Sequence, residues 1–265
     1  MHLHRYFLIG VLTAAAAACG RDTNGVTTPT PPLAYVRYVN AINDTKPVDF
    51  RMVDSIQHSP SFFGQTNNGA KFREVSPYQA TGPGSRDVRV FWDDTIPANA
   101  TTVVADAKLD FAANKYYTVV VTGSSVGANT GKLAVITDDM SAISPDKVLV
   151  RAYNLAPALG KVDILTDTTT GTALFKGLTP GTPASVSVPV ATAAMYFAAT
   201  ATGTTTPVLA AADAPMGDND PTVPVAGLGL GGSDVTVIVM PSGGSFTTAG
   251  LAFGVHWLPP SGAAQ

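Results

Sequence analysis

From Ala34 onward, short runs of β-branched and aromatic residues are separated by Gly, Pro, Asn and Asp every eight to twelve positions. Such runs fit a pleated, half-buried surface and the separating residues fit turns, so the pattern predicts strands stacked as sandwiches or barrels. In the first half it predicts strands at 35–40, 48–53, 87–92, 101–108, 116–122 and 132–137. In the second half it predicts them at 147–153, 161–165, 184–190, 194–200, 207–211, 234–240 and 251–257. Thr118-Val119-Val120-Val121 and Val235 to Val239 are apolar on both strand faces. Strands of that kind sit centrally, covered on two sides.

The two halves repeat at residue level. Val36-Arg37 leads to Asn40 and then to Val48-Asp49-Phe50; Val150-Arg151 leads to Asn154 and then to Val162-Asp163-Ile164. The steps from Arg to Asn to Asp are three and nine residues in both copies. Each half also closes with a Val/Thr-rich strand, a Gly-rich turn (123–131 and 242–250) and a last strand. The boundary falls in the polar, Pro-containing link 138–146, giving modules over 34–140 and 146–260. Residues 54–86 and 212–233 follow neither copy.

Arg37, Asn40 and Asp49, with Arg151, Asn154 and Asp163, are therefore candidate structural determinants. Asn at a strand end fixes the following turn by side-chain to backbone bonds, and Arg37 could pair with Asp49 across neighbouring strands. A binding site built from the same three residue types is the competing reading. It is the weaker one, because the triple persists while the loops around it diverge.

The amino terminus carries a different pattern. Tyr6 to Ala18 is an uncharged apolar run of thirteen residues behind His2, His4 and Arg5. In a helix it spans only about 20 Å, short of a roughly 30 Å hydrocarbon core, so residues 1–18 read as an export signal that is cleaved. Ala16-Ala17-Ala18-Cys19 resembles the lipobox of bacterial lipoproteins, with Ala16 where Leu is usual. That resemblance implies a diacylglycerol on Cys19, the single Cys of the chain. Residues 19–33, rich in Thr, Asn, Gly and Pro, then form a flexible tether. Gly20 stands where inner-membrane retention has Asp, which points to the outer membrane if the source has two.

The opening V-R-x-x-N, the V-D-[FI] strand and the closing strand before an Asp-containing link resemble domain-of-unknown-function family 4397 over about residues 34–258. That resemblance implies tandem immunoglobulin-like β-sandwiches in an exported or surface protein, and it implies no particular activity. The expected fold class is all-β: two such modules after a signal peptide and tether.

Charge narrows the partners. With 13% charged residues and a net charge of -3, the chain has no basic face for nucleic acid. One Cys allows neither an internal disulfide nor a multi-cysteine metal site. His2 and His4 leave with the signal, and His58 and His256 are too scattered for zinc. Ser233 in Gly231-Gly232-Ser233-Asp234 lacks a nucleophile elbow, and no catalytic set is legible. The glycines of 227–232 read as a flexible turn and not as a phosphate loop, since no helix follows. Asp218, Asn219 and Asp220 are weak calcium candidates, as are Asp93-Asp94 and Asp138-Asp139, each cluster supplying two or three of the six to eight oxygens calcium takes. Neither a metal nor a cofactor is expected.

The sequence thus predicts a non-enzymatic envelope lipoprotein, with the membrane as one partner and an envelope protein or a glycan as the other. The aromatics Phe62-Phe63, Tyr78, Phe91-Trp92 and His256-Trp257, and the loop 54–86, are where recognition would be sought. A solute-binding lipoprotein is the alternative. An envelope enzyme is the weaker one, with only Asp54, His58 and Glu74 as raw material.

Overall fold

The computed structural model describes residues 31–258 apart from 45, 55–61, 64–68, 97–99, 125–129, 141–142, 168–170 and 221, with backbone alone at Phe62 and Phe63. The described chain is nearly all strand. Its first half holds β1 (Ala34–Asn40), β2 (Val48–Met52), β3 (Phe62–Phe63), β4 (Gln79–Thr81), β5 (Gly84–Trp92), β6 (Val103–Phe111), β7 (Tyr116–Gly123) and β8 (Gly131–Asp138). The second holds β9 (Lys147–Asn154), β10 (Val162–Thr166), β11 (Ala173–Leu178), β12 (Ala184–Pro189), β13 (Tyr196–Ala201), β14 (Pro207–Asp213), β15 (Ser233–Met240) and β16 (Gly250–Trp257). Among the described residues no helix is long and apolar enough to cross a membrane.

Each half is a sandwich of two four-stranded sheets, β4-β1-β7-β8 over β3-β2-β5-β6 and β12-β9-β15-β16 over β11-β10-β13-β14. Every strand of the first half thus has a counterpart eight numbers later. The match extends to register: in the parallel pairs β1–β7 and β9–β15, Arg37 lies opposite Thr118 and Arg151 opposite Thr236.

The strand period of two explains three cores. Val36, Tyr38, Phe50, Val119 and Val121 point between the sheets of the first sandwich, and Val150, Ile164, Val235, Val237 and Val239 between those of the second. The alternate residues Val39, Ala41, Val120, Tyr153, Ile238 and Met240 form a third cluster, in which the sheet β4-β1-β7-β8 faces β12-β9-β15-β16. All eight residues of β15 are buried because both its faces are covered. Each large apolar side chain so enclosed contributes about 1.5–3 kcal/mol, which is why the second half of β15, from Val237 to Met240, is apolar on both faces.

Three strands escaped prediction. β3 has two residues and β4 three, too few for any periodicity to register. β11 contains Gly177 at φ 64° and shifts register twice against β10, and Gly is a poor strand former. The pairing of β4 with β1 nonetheless repeats that of β12 with β9, so part of the segment 54–86 belongs to the common plan. The glycines of 227–232 also differ from expectation. Gly231 packs on the carbonyl of Pro145 and Gly227 on Met216, too closely for any Cβ. Gly229 donates its N–H to Met216 O at 2.7 Å, and Gly232 donates to Lys147 O at 2.9 Å. The segment is a pinned loop, and its glycines serve close approach more than flexibility.

Candidate functional site: the seam between the sandwiches

Arg37 and Arg151 project from β1 and β9 on the faces that meet, and both are almost wholly buried. Arg37 donates from Nε to Thr118 Oγ1 and from Nη2 to Thr236 Oγ1 of the second sandwich, each at 2.8 Å. Asp138 Oδ2 lies 3.9 Å from its Nη2, and its guanidinium stacks on the Tyr78 ring at 4.6 Å. Arg151 donates from Nε to Asp234 Oδ1 at 3.0 Å and from Nη2 to the second carboxylate oxygen. Its Nη1 reaches across the seam to within 3.5 Å of Asp138 Oδ1.

Asp138, at the end of β8, is the common acceptor. It takes the Tyr78 hydroxyl at 2.5 Å, the Thr118 hydroxyl at 2.6 Å and the Tyr153 hydroxyl of the second sandwich. Two guanidinium groups therefore face two carboxylates with formal charge balanced, the condition under which buried ions are tolerable. Burial works against the charge on Arg151, but Asp234 in the first place outweighs it and holds the group protonated. Burial also pushes the Tyr78 and Tyr153 phenols above their ordinary range, so both remain donors.

His256 completes the wall, its ring 5.1 Å from Tyr78 and 5.4 Å from Tyr116. Burial, then the nearby Arg37 and Arg151, depress its pKa to about 4, so it is neutral at physiological pH. Gly254 makes room for this arrangement: a Cβ there would stand 2.5 Å from Arg37 Nη1.

A second junction lies at the mouth of the seam. Arg73, at the strained φ of 71° for a non-glycine residue, donates from Nη2 to the carbonyls of Pro241, at 2.7 Å, and Thr248. Its guanidinium lies over Phe246 at 4.2 Å, and Gly250 leaves space for it. Beside it is a cleft of about 400 Å3 lined by Asp44, Pro47, Lys71, Phe72, Ser245 and Phe246. The segment 54–86 thus contributes Phe72, Arg73 and Tyr78 to contacts with the second sandwich.

The repeated triples separate by role. Asn40 Oδ1 accepts the N–H of Ile42 at 2.9 Å while Nδ2 donates to Ala70 O at 2.8 Å. Asn154 does the same with Ala156 at 3.0 Å and Gly160 O at 2.8 Å. The expected Arg37–Asp49 pair does not form, because β1 and β2 lie in different sheets; Asp49 accepts from Arg51 at 3.1 Å instead. Asp163 accepts the N–H groups of Gly177 at 2.6 Å and Gly203 at 2.9 Å. Burial opposes its ionisation, yet those donors win and hold its carboxyl below the usual range.

The remaining candidates are accounted for locally. Cys19 and His58 lie outside the described residues. Asp218 accepts the N–H of Asp220 at 3.1 Å, and Asp220 accepts that of Thr222 at 2.7 Å, a chain of turns; Asn219 sits between them, exposed. Among the described residues no cluster of three or more acidic, His or Cys side chains could hold a metal ion. Ser233 is buried, its Oγ accepting the Gly227 N–H at 3.1 Å. Asp138, Asp234, Thr118 and Thr236 went unrecognised as partners of the arginines. For Asp234 and Thr236 the signal was polar residues at alternate positions of an otherwise apolar strand, Asp234-Val235-Thr236-Val237, and for Thr118 a single polar residue ahead of three valines; Asp138, at a strand end, carried none.

Residues 34–165 match the model of a family described as Domain of unknown function (DUF4397). Over that stretch the chain belongs to the DUF4397 family. The DUF4397 match opens at β1 and ends in β10, so it takes in both Arg-Asn-Asp triples. Two solved structures resemble the chain: a candidate cell adhesion protein from Bacteroides uniformis, 11% identical, covering 84% of this chain and 98% of that one at a TM-score of 0.21; and another from Parabacteroides distasonis, 9% identical, covering 85% and 99% at 0.22. No curated protein matches the chain.

Proposed function

We propose that this protein is a non-enzymatic lipoprotein of the cell envelope, its two sandwiches acting as one binding or structural block held to the membrane by a lipid on Cys19. In a cell with two membranes the outer one is its site. One observation carries the reading: the buried ionisable groups Arg37, Asp138 and Arg151 make contacts from one sandwich to the other, with Asp234 holding Arg151 in place. A display block needs that rigidity, whereas a catalytic cleft needs such groups exposed to substrate. The lipobox-like Ala16-Ala17-Ala18-Cys19 supplies the anchor, since the modification brings the more than one acyl chain that durable attachment requires.

The test is metabolic labelling of the expressed full chain with an alkyne fatty acid, followed by mass analysis of the mature amino terminus. Label on Cys19 and partition into detergent are expected, both lost in Cys19→Ala. An unmodified thiol at a processed terminus would refute the anchor. Glycan binding at the mouth of the seam is a second reading, favoured by the cleft beside Phe246, which is 42% exposed. Glycan-array binding that disappears in Phe246→Ala would establish it.

A further inference from the structure

We propose that the second sandwich binds the hydrocarbon end of a small uncharged amphiphile in an apolar cavity between its sheets, at a place that the first sandwich fills with its own side chains. The cavity measures about 130 Å3, and its walls include Val150, Thr166, Leu174, Val188, Met195 and Leu228. An apolar void of roughly 150 Å3 stays dry and takes up benzene, so this one accommodates about five carbons. None of its lining residues is charged, which excludes an ion.

The cavity has direction. Val150, Phe197 and Leu228 form a buried floor, while Leu174, Val188, Ala191 and Met195 are half-buried and form an apolar rim. A ligand entering tail-first would bury its carbons against the floor and keep its polar head in water at the rim. A closed void would admit only a free hydrocarbon; an apolar mouth fits an amphiphile.

The first sandwich shows what is missing. Register places Thr166 where Met52 stands and Val188 where Thr81 stands. Met52 is 5% exposed, and Thr81 donates its hydroxyl to Met52 Sδ at 3.1 Å. Thr81 and Val188 are alike in size, so the difference lies at the other position, where the long Met52 thioether stands in place of the short Thr166 side chain that lines the cavity. Phe197 is larger than its counterpart Val88 but lies against Phe253, ring centroids 6.0 Å apart.

The experiment is a titration of the full chain, methyl-labelled at Met, Leu and Val, with 1-hexanol followed by NMR. Saturable shifts at Met195, Leu174, Val150, Val188 and Leu228, with Met52 unmoved, are expected. Thr166→Met, which copies the first sandwich, should weaken binding by at least about tenfold while the methyl spectrum of the first sandwich is unchanged. If Thr166→Met does not fold, Ala191→Leu plugs the rim and serves the same comparison. Shifts that never saturate, or that persist undiminished in the plugged variant, overturn the proposal. The outcome is independent of Cys19, since the anchor lies in another part of the chain.

Discussion

The two sandwiches share every strand pairing and differ in what fills them. Tyr38, Phe50 and Trp92 of the first correspond by register to Ala152, Ile164 and Ala201 of the second. A backbone plan therefore tolerates wholesale exchange of core volume, provided each core is closed by other means. The facing surfaces are less permissive. They are equivalent faces, brought together as in an isologous dimer, and each carries one arginine at the same place and one aspartate at a different place. Asp138 corresponds to His256, and Asp234 to Tyr116. What is held constant is one acid for each base, and the position of the acid is free.

That contrast can be broken most severely at the arginines. Arg151→Met leaves Asp234 without its bidentate partner and should cost about 3–5 kcal/mol, read as a fall in the urea midpoint. Arg37→Met should cost less, because its nearest partners are the neutral hydroxyls of Thr118 and Thr236. Equal losses would mean the carboxylates do not govern the seam. Next comes Gly254→Ile, which installs the counterpart residue Ile136. It crowds Arg37 Nη1 and should cost about 1–3 kcal/mol, whereas Ile136→Gly should act through lost packing and the greater freedom of glycine in the unfolded chain.

Asn40→Ala and Asn154→Ala each remove a turn-fixing acceptor and a carbonyl donor, and each should cost about 1–2 kcal/mol. Near-equality of the two losses in the full chain would sharpen the equivalence of the modules; an unchanged melting temperature in either would break it. The last effect concerns pH and is absent at neutrality. His256 has a folded pKa of about 4, below the unfolded value near 6.5, so the unfolded chain binds the extra proton. Stability is then complete above about 6.5 and drains away as the pH falls toward 4. The slope in that window should become shallower in His256→Phe.

Much of this plan was legible because it rests on local chemistry. The paired triples, the doubly apolar β7 and β15 and the Asx turns at Asn40 and Asn154 follow from strand period and side-chain reach. The seam was not legible, because its partners are far apart in sequence: Arg37 meets Thr236 and Arg151 meets Asp138 through strand placement that no local pattern encodes. Asp138 was hidden further by its position at the start of a polar link, where an aspartate ordinarily faces water. The glycines of 227–232 misled for the related reason that a missing side chain signals freedom and tight packing alike, and only the neighbouring backbone tells them apart.

The parallel pairing of β1 with β7 has a mechanical consequence. A pull on the amino end enters the fold at Ala34, the first residue of β1, which is laddered to β7 over six positions from Tyr35 to Asn40. Tension directed along β1 loads the rungs of that ladder together and does not peel it open rung by rung. A block tethered by that end would resist drag and stretching through simultaneous rupture, the geometry in which short hydrogen-bonded strands are hardest to part.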